Sequence, residues 1–140
     1  MDSTVLVSKH SIKQLPVPTT AEFAILQVLW RRGACTVRKV HEVLKSGEHT
    51  GYTTTLKTMQ IMYKKGFVVR DDRLKAHVYK ANCTAIETRK RYLSNLLEGV
   101  FQGSSYQMLE LTLEISKPLE ESEIELLASV ISSENTKTEG

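Results

Sequence analysis

The chain has 140 residues, with 19 Lys and Arg against 16 Asp and Glu, a formal charge of +3, 41% apolar residues and 25% charged ones. That length fits one domain or a small domain plus an assembly module, and the composition excludes a disordered chain. The longest apolar stretch is far short of the roughly 20 residues a membrane span needs, so no membrane insertion is expected, and residues 5–7 are too short a run for a signal peptide.

The charge is unevenly spread. Residues 1–82 hold 14 Lys/Arg and 6 Asp/Glu, a balance of +8, whereas residues 83–140 hold 5 and 10, a balance of −5. Such asymmetry suggests a first part that meets a polyanion and a second part with another task.

Residues 1–17 show no period and read as a flexible N-terminal tail. Thr19 and Glu22 have the T-x-x-E spacing of a capping box, and an apolar run follows with Phe23, Leu26 and Trp30 on one helical face and Gly33 at its end. Thr36 is the expected cap of a short second helix, with Val37, Val40 and Leu44 inward. Residues 46–51 read as a loop. A third helix is predicted from about Thr53 to Lys65, stopped by Gly66. Its inner face is Leu56, Met59, Met62 and Tyr63; its outer face is Thr54, Lys57, Thr58, Ile61 and Lys65, polar and basic with no carboxylate. Residues 67–70 and 77–80 are rich in β formers around a charged tip, which predicts a hairpin. Three short helices and a hairpin in this order make a winged helix-turn-helix.

From about residue 85 the pattern is helical. Leu93, Leu96, Leu97, Val100 and Phe101 form an amphipathic stripe, broken at Gly103. Residues 106–115 are a second apolar segment, and residues 121–132 a third, with Ile124, Leu127 and Ile131 on one face. The expected fold is therefore mostly α with a small β-hairpin. Its divisions are a tail (1–17), a winged-helix DNA-binding domain (18–82), a three-helix dimerisation region (83–132) and a flexible C-terminal tail (133–140).

The third helix has the chemistry of a DNA-reading element. Threonine hydroxyls donate and accept, threonine methyls touch thymine methyls, and lysine reaches guanine or phosphate. Thr53, Thr54, Lys57 and Thr58 supply that content. Tyr52 at the helix start, Arg38 on the second helix, and Arg73 and Lys75 at the hairpin tip are the candidate backbone contacts. The stripe Leu93, Leu96, Leu97, Val100 and Phe101, with Ile124, Leu127 and Ile131, is the candidate dimer face, since three amphipathic helices cannot easily bury their apolar sides alone. A dimer would set two reading heads about one helical turn apart on a palindromic operator.

No catalytic motif is present, so no enzyme is expected. Two cysteines, Cys35 and Cys83, cannot build a disulfide framework, which points to a cytoplasmic protein with reduced thiols. Cys35 reads as a small core thiol and Cys83 as a bystander. His41 and His49 read as surface or partly packed residues, while His77 either touches DNA from the hairpin or pairs across it. No set of His, Cys, Asp and Glu has metal-ligand spacing, and no cofactor is expected.

Several segments resemble the penicillinase repressor family. They are Ala21-Glu22-Phe23 with Val28-Leu29-Trp30, Thr36-Val37-Arg38-Lys39-Val40-His41-Glu42, Tyr52-Thr53-Thr54-Thr55-Leu56-Lys57-Thr58-Met59-Gln60, Lys64-Lys65-Gly66-Phe67-Val68 and His77-Val78-Tyr79. The resemblance spans about residues 18–131. It implies a cytoplasmic homodimeric repressor that binds a dyad operator, controls β-lactam resistance or related stress genes, and is relieved by proteolysis of the dimerisation region through a membrane sensor-protease pathway. The family's cleaved Asn-Phe pair corresponds here to Thr112 and Leu113, so the pair itself is absent. Copper-responsive members carry C-terminal C-x-C motifs, and this chain has no cysteine after Cys83. Two other readings stand beside the repressor: a winged-helix protein-interaction module without sequence-specific DNA binding, and a thiol sensor acting through Cys35.

Overall fold

A threonine and a glutamate three residues apart start the first helix. The Glu22 amide donates to the Thr19 hydroxyl at 3.2 Å, and the Thr19 amide donates to the Glu22 carboxylate at 2.9 Å. Two amides that a helix start leaves without partners are thereby satisfied. In the computed structural model, which describes residues 16–44 and 51–139 (side chains through 135), this helix, α1, spans Thr20–Arg32 and ends at Gly33. Strand β1 (Cys35–Thr36) and helix α2 (Val37–Leu44) follow. The Thr36 hydroxyl caps α2 by accepting from the Lys39 amide at 3.2 Å. Helix α3 covers Tyr52–Lys65 and stops at Gly66, whose φ of 88° lies in the left-handed region that favours glycine. The amides of Gly66 and Phe67 turn back to the Tyr63 and Met62 carbonyls and close the helix end.

Strands β2 (Val68–Asp71) and β3 (Val78–Ala81) make the predicted hairpin. They belong to a three-stranded antiparallel sheet of order β1-β3-β2, with Cys35 opposite Tyr79 and Arg70 opposite Tyr79 on the other side. The two-residue strand β1 was not anticipated, being too short to show an alternating period. The core lies under the three helices and the sheet: Leu26, Val40, Met59, Met62, Phe67, Val68 and Tyr79 are all essentially inaccessible. This is a winged helix-turn-helix.

Helices α4 (Ala85–Gly99), α5 (Ser105–Ile115) and α6 (Glu121–Glu139) complete the chain. A second capping box starts α4, because the Thr84 hydroxyl accepts from the Glu87 amide at 3.1 Å and the Glu87 carboxylate accepts from the Thr84 amide at 3.0 Å. Its first half packs with the winged helix. Tyr92 donates to the Pro18 carbonyl at 2.6 Å and meets Phe23 edge-on at 5.6 Å. Phe23 meets Trp30 in the same way, and the Trp30 indole donates to the Cys83 carbonyl at 2.7 Å. Thr88 and Arg91 are buried there. The Arg91 guanidinium lies over the Phe67 ring, and its Nε and Nη1 have no hydrogen-bond partner among the described residues.

By packing, the chain divides into residues 1–95 and 96–140. The division by composition at 82/83 therefore cuts off the half of α4 that completes the first unit. Drawn at 95/96 the charge segregation is sharper: the first unit holds 17 Lys/Arg and 7 Asp/Glu, the second 2 and 9. Helix α6 continues to Glu139, beyond the expected end at Ser132. Residues 1–15 of the expected N-terminal tail, and residues 46–50 of the expected loop with His49, lie outside the described residues.

Candidate nucleic-acid interface

The buried stripe of α3 is Thr55, Met59 and Met62, at i, i+4 and i+7. That stripe leaves Thr53, Thr54, Lys57 and Ile61 exposed on the opposite side. Thr58 is half-buried and its hydroxyl donates to the Thr54 carbonyl at 2.8 Å, so its proton is committed within the helix. Lys57 has no carboxylate partner among the described ion pairs. The exposed face is thus hydroxyl-rich, cationic and free of acids.

Two faces of α3 differ from the sequence expectation. Tyr63 was expected inside but is 40% exposed, with the Arg70 guanidinium 4.3 Å from its ring centre. Thr55 takes an inner position because His41 gives its hydroxyl a partner at 3.2 Å, which makes its burial tolerable. Lys65 was expected on the outer face. Instead its ammonium reaches 2.8 Å from the Glu22 carboxylate, which is only 3% exposed. Burial pushes the Glu22 carboxyl up, but Lys65 and the Thr19 amide outweigh this and hold it below the usual range. One carboxylate therefore closes the capping box of α1 and anchors the far end of α3.

Beside α3 lies a cleft of about 480 Å³. Arg38 from the first turn of α2, Tyr52 and Gln60 from α3, and Lys75 and His77 from the hairpin tip supply its polar rim. Val37, Leu56 and Tyr79 supply its apolar lining. Of the candidate backbone contacts, the structure brings Arg38, Tyr52 and Lys75 to this one cleft. Gln60 was not assigned to it from sequence, since it meets the hairpin only when the hairpin folds beside α3, and His77 had two sequence readings, a DNA contact from the hairpin or a pairing across it.

Arg73 is placed differently. Its guanidinium grips the Asp71 carboxylate with contacts of 2.7–3.2 Å, and the hydrogen bonds from Arg73 pull the Asp71 carboxyl down to about 2. Arg70 is likewise bound to Asp72 at 2.6 Å, which together with Tyr79 raises its already high pKa. His77 lies 3.6 Å from the same Asp72. The hairpin's two acids are thus neutralised by its own cations, while Lys75 near its tip and Lys80 on β3 form no described ion pair.

Cys35 and Cys83 are both buried, and Cys83 is more than a bystander: the Thr88 hydroxyl contacts its sulfur at 3.6 Å. Among the described residues no group of His, Cys, Asp and Glu is arranged to hold a metal ion, and no helix is long and apolar enough to cross a membrane.

The 96–140 unit has a different character. Between Leu96 and Asn135 no side chain is buried. Val100, Tyr106, Ile115, Leu126 and Val130 are each more than half exposed. Of the candidate dimer residues, Leu93, Leu96, Val100, Ile124 and Ile131 are exposed, and Leu97, Phe101 and Leu127 are half-buried. Thr112 and Leu113 sit within α5, where the Thr112 hydroxyl donates to the Met108 carbonyl at 2.6 Å.

No curated protein matches the chain. Solved structures similar to it include the multiple antibiotic-resistance repressor MarR from Listeria monocytogenes 4b F2365, with a TM-score of 0.46 and 14% identity over 99% of this chain and 88% of that one. Wild-type apo MarR from E. coli has a TM-score of 0.42 and 15% identity over 95% of each chain. A mutant E. coli MarR complexed with operator DNA has a TM-score of 0.43 and 16% identity, covering 94% of this chain and 91% of that one. The family profile described as penicillinase repressor matches residues 18–133. With nearly the whole of its described fold inside that match, the chain belongs to the penicillinase repressor family of DNA-binding transcriptional regulators.

Proposed function

We propose that the chain is a sequence-specific repressor that binds a palindromic operator as a homodimer. The observation that carries this reading is the acid-free outer face of α3, with Thr53, Thr54 and Lys57 exposed, beside a cleft rimmed by Arg38, Tyr52 and Lys75. Threonines and a lysine at these spacings suit base edges in the major groove. The cleft, rimmed by three such donors, suits the adjacent phosphates. Homodimerisation is supported by the 96–140 unit, none of whose described apolar side chains is fully buried within one chain. A repressor of this kind works where the DNA is, in the cytoplasm. Relief by proteolysis at Thr112 and Leu113 would require α5 to open locally, because a protease takes its substrate extended and this bond lies in a helix.

Selection of duplexes from a randomised pool by the purified protein tests the reading. The expected product is a two-fold symmetric sequence with half-site centres about one helical turn (roughly 34–36 Å) apart. Failure to enrich any sequence from the pool at low salt would contradict it and leave the protein-interaction module in its place.

A further inference from the structure

The recognition helix begins at a glycine. Its N-cap residue is Gly51, and among the described residues no side chain accepts a capping hydrogen bond from the amides of its first turn. A glycine at this position satisfies no amide by a side chain and makes the helix start less stable by only about a few tenths of a kcal/mol than a good side-chain cap. Yet this is the turn that carries Tyr52 and Thr53 to the site.

What holds it lies on the neighbouring helix. His41 of α2 is half-buried, with Nδ1 3.2 Å from the hydroxyl of the buried Thr55, and its ring meets the Tyr52 ring edge-to-face at 5.8 Å and 86°. Thr55 and Tyr52 both belong to the first turn of α3, three residues apart, so they lie on one side of it. Arg38 stands three residues before His41, one turn back on α2. One imidazole therefore grips α3 at two points and sits one turn from the cation across the cleft.

We propose that His41 is the positioning residue of this DNA interface: by holding the Thr55 hydroxyl and the Tyr52 ring it braces the first turn of α3 and sets Tyr52 against a phosphate. The inference rests on the DNA-binding reading above. His41 itself touches no DNA in it; its effect passes through Tyr52.

A double-mutant cycle on the selected duplex tests this, using the full-length protein and fluorescence anisotropy. His41→Ala and Tyr52→Ala should each weaken binding by about tenfold, and the double variant should be no weaker than either single one, the non-additivity typical of residues in one contact network. His41→Asn, which keeps a polar atom for Thr55 but loses the ring, should fall between wild type and His41→Ala and guards against loss of fold in the alanine variant. Additive losses, or wild-type affinity in His41→Ala, would overturn the role of His41 while leaving the DNA reading intact. Absence of any binding by the wild-type protein at low salt would overturn both.

Discussion

Replacing Glu22 with Gln should destabilise the winged helix in a pH-dependent way. The Glu22 carboxylate is 3% exposed and the Lys65 side chain 34% exposed, at a separation of 2.8 Å. Breaking a fully buried pair by removing one partner costs about 3–5 kcal/mol. Here Lys65 can turn partly to water, and Gln retains an oxygen for the Thr19 amide, so the expected loss is about 2 kcal/mol. For a urea m-value of about 2 kcal/mol/M this is a midpoint shift of roughly 1 M, read by circular dichroism at fixed protein concentration. The pH dependence follows from the lowered Glu22 pKa. A carboxyl that ionises more readily folded than unfolded stabilises above its unfolded value of 4.5, and that stabilisation is lost as pH falls through the lower folded value. The gap between wild type and Glu22→Gln should therefore be full at pH 7 and narrow steadily below 4.5. Equal midpoints at pH 7, or a gap of the same size at pH 3 as at pH 7, would refute the assigned role of the pair.

Three further outcomes are expected. Lys57→Ala removes an exposed cation from the reading face without touching the core, so operator affinity should fall by about 1–3 kcal/mol while the thermal midpoint stays put; unchanged affinity would misplace the reading head. Asp71→Asn releases Arg73 from its carboxylate, and each phosphate that the freed cation then meets should steepen the salt dependence of binding by about 0.9 in log–log slope. A slope identical to wild type would show that Arg73 stays away from DNA. Val100 is 66% exposed in the single chain, so Val100→Asp should leave the winged helix folded yet convert dimer to monomer in sedimentation velocity; a fully dimeric variant would place the subunit contact elsewhere.

Much of the fold was legible because its punctuation is local. Thr19 with Glu22, Thr36, Gly33 and Gly66 act within one turn of themselves, and each bounds the helix it was expected to bound. The Thr84–Glu87 box shows the same spacing and was equally readable. The β1 strand was not, since Cys35 and Thr36 become a strand only when Tyr79 and Val78 arrive beside them. The misplacement of Tyr63, and the absence of Thr55 from the expected inner face, have the same source. An apolarity pattern sends the tyrosine inward and the threonine outward, but Arg70 and His41, distant in sequence, supply the partners that reverse both. The packing boundary falls later than the point chosen from composition. The run Arg89-Lys90-Arg91 belongs to the basic unit, although it follows the point where the sequence turns helical and acidic. At the candidate site, Lys57 and the threonines are visible from helical spacing alone. The pairing of Arg73 with Asp71 is not, because in a hairpin tip the sequence shows a basic residue and its acid two positions apart without showing that they face each other.

The most direct test of the central claim is fluorescence anisotropy of the wild-type protein on the selected duplex and on a shuffled copy, across a salt series. Arg38 and Lys75 of two protomers make four phosphate contacts in this account, so log affinity for the selected duplex should fall with log salt at a slope of about −4, and the shuffled duplex should bind far more weakly at every salt concentration. Equal affinity for the two duplexes throughout the series would contradict sequence-specific recognition by α3.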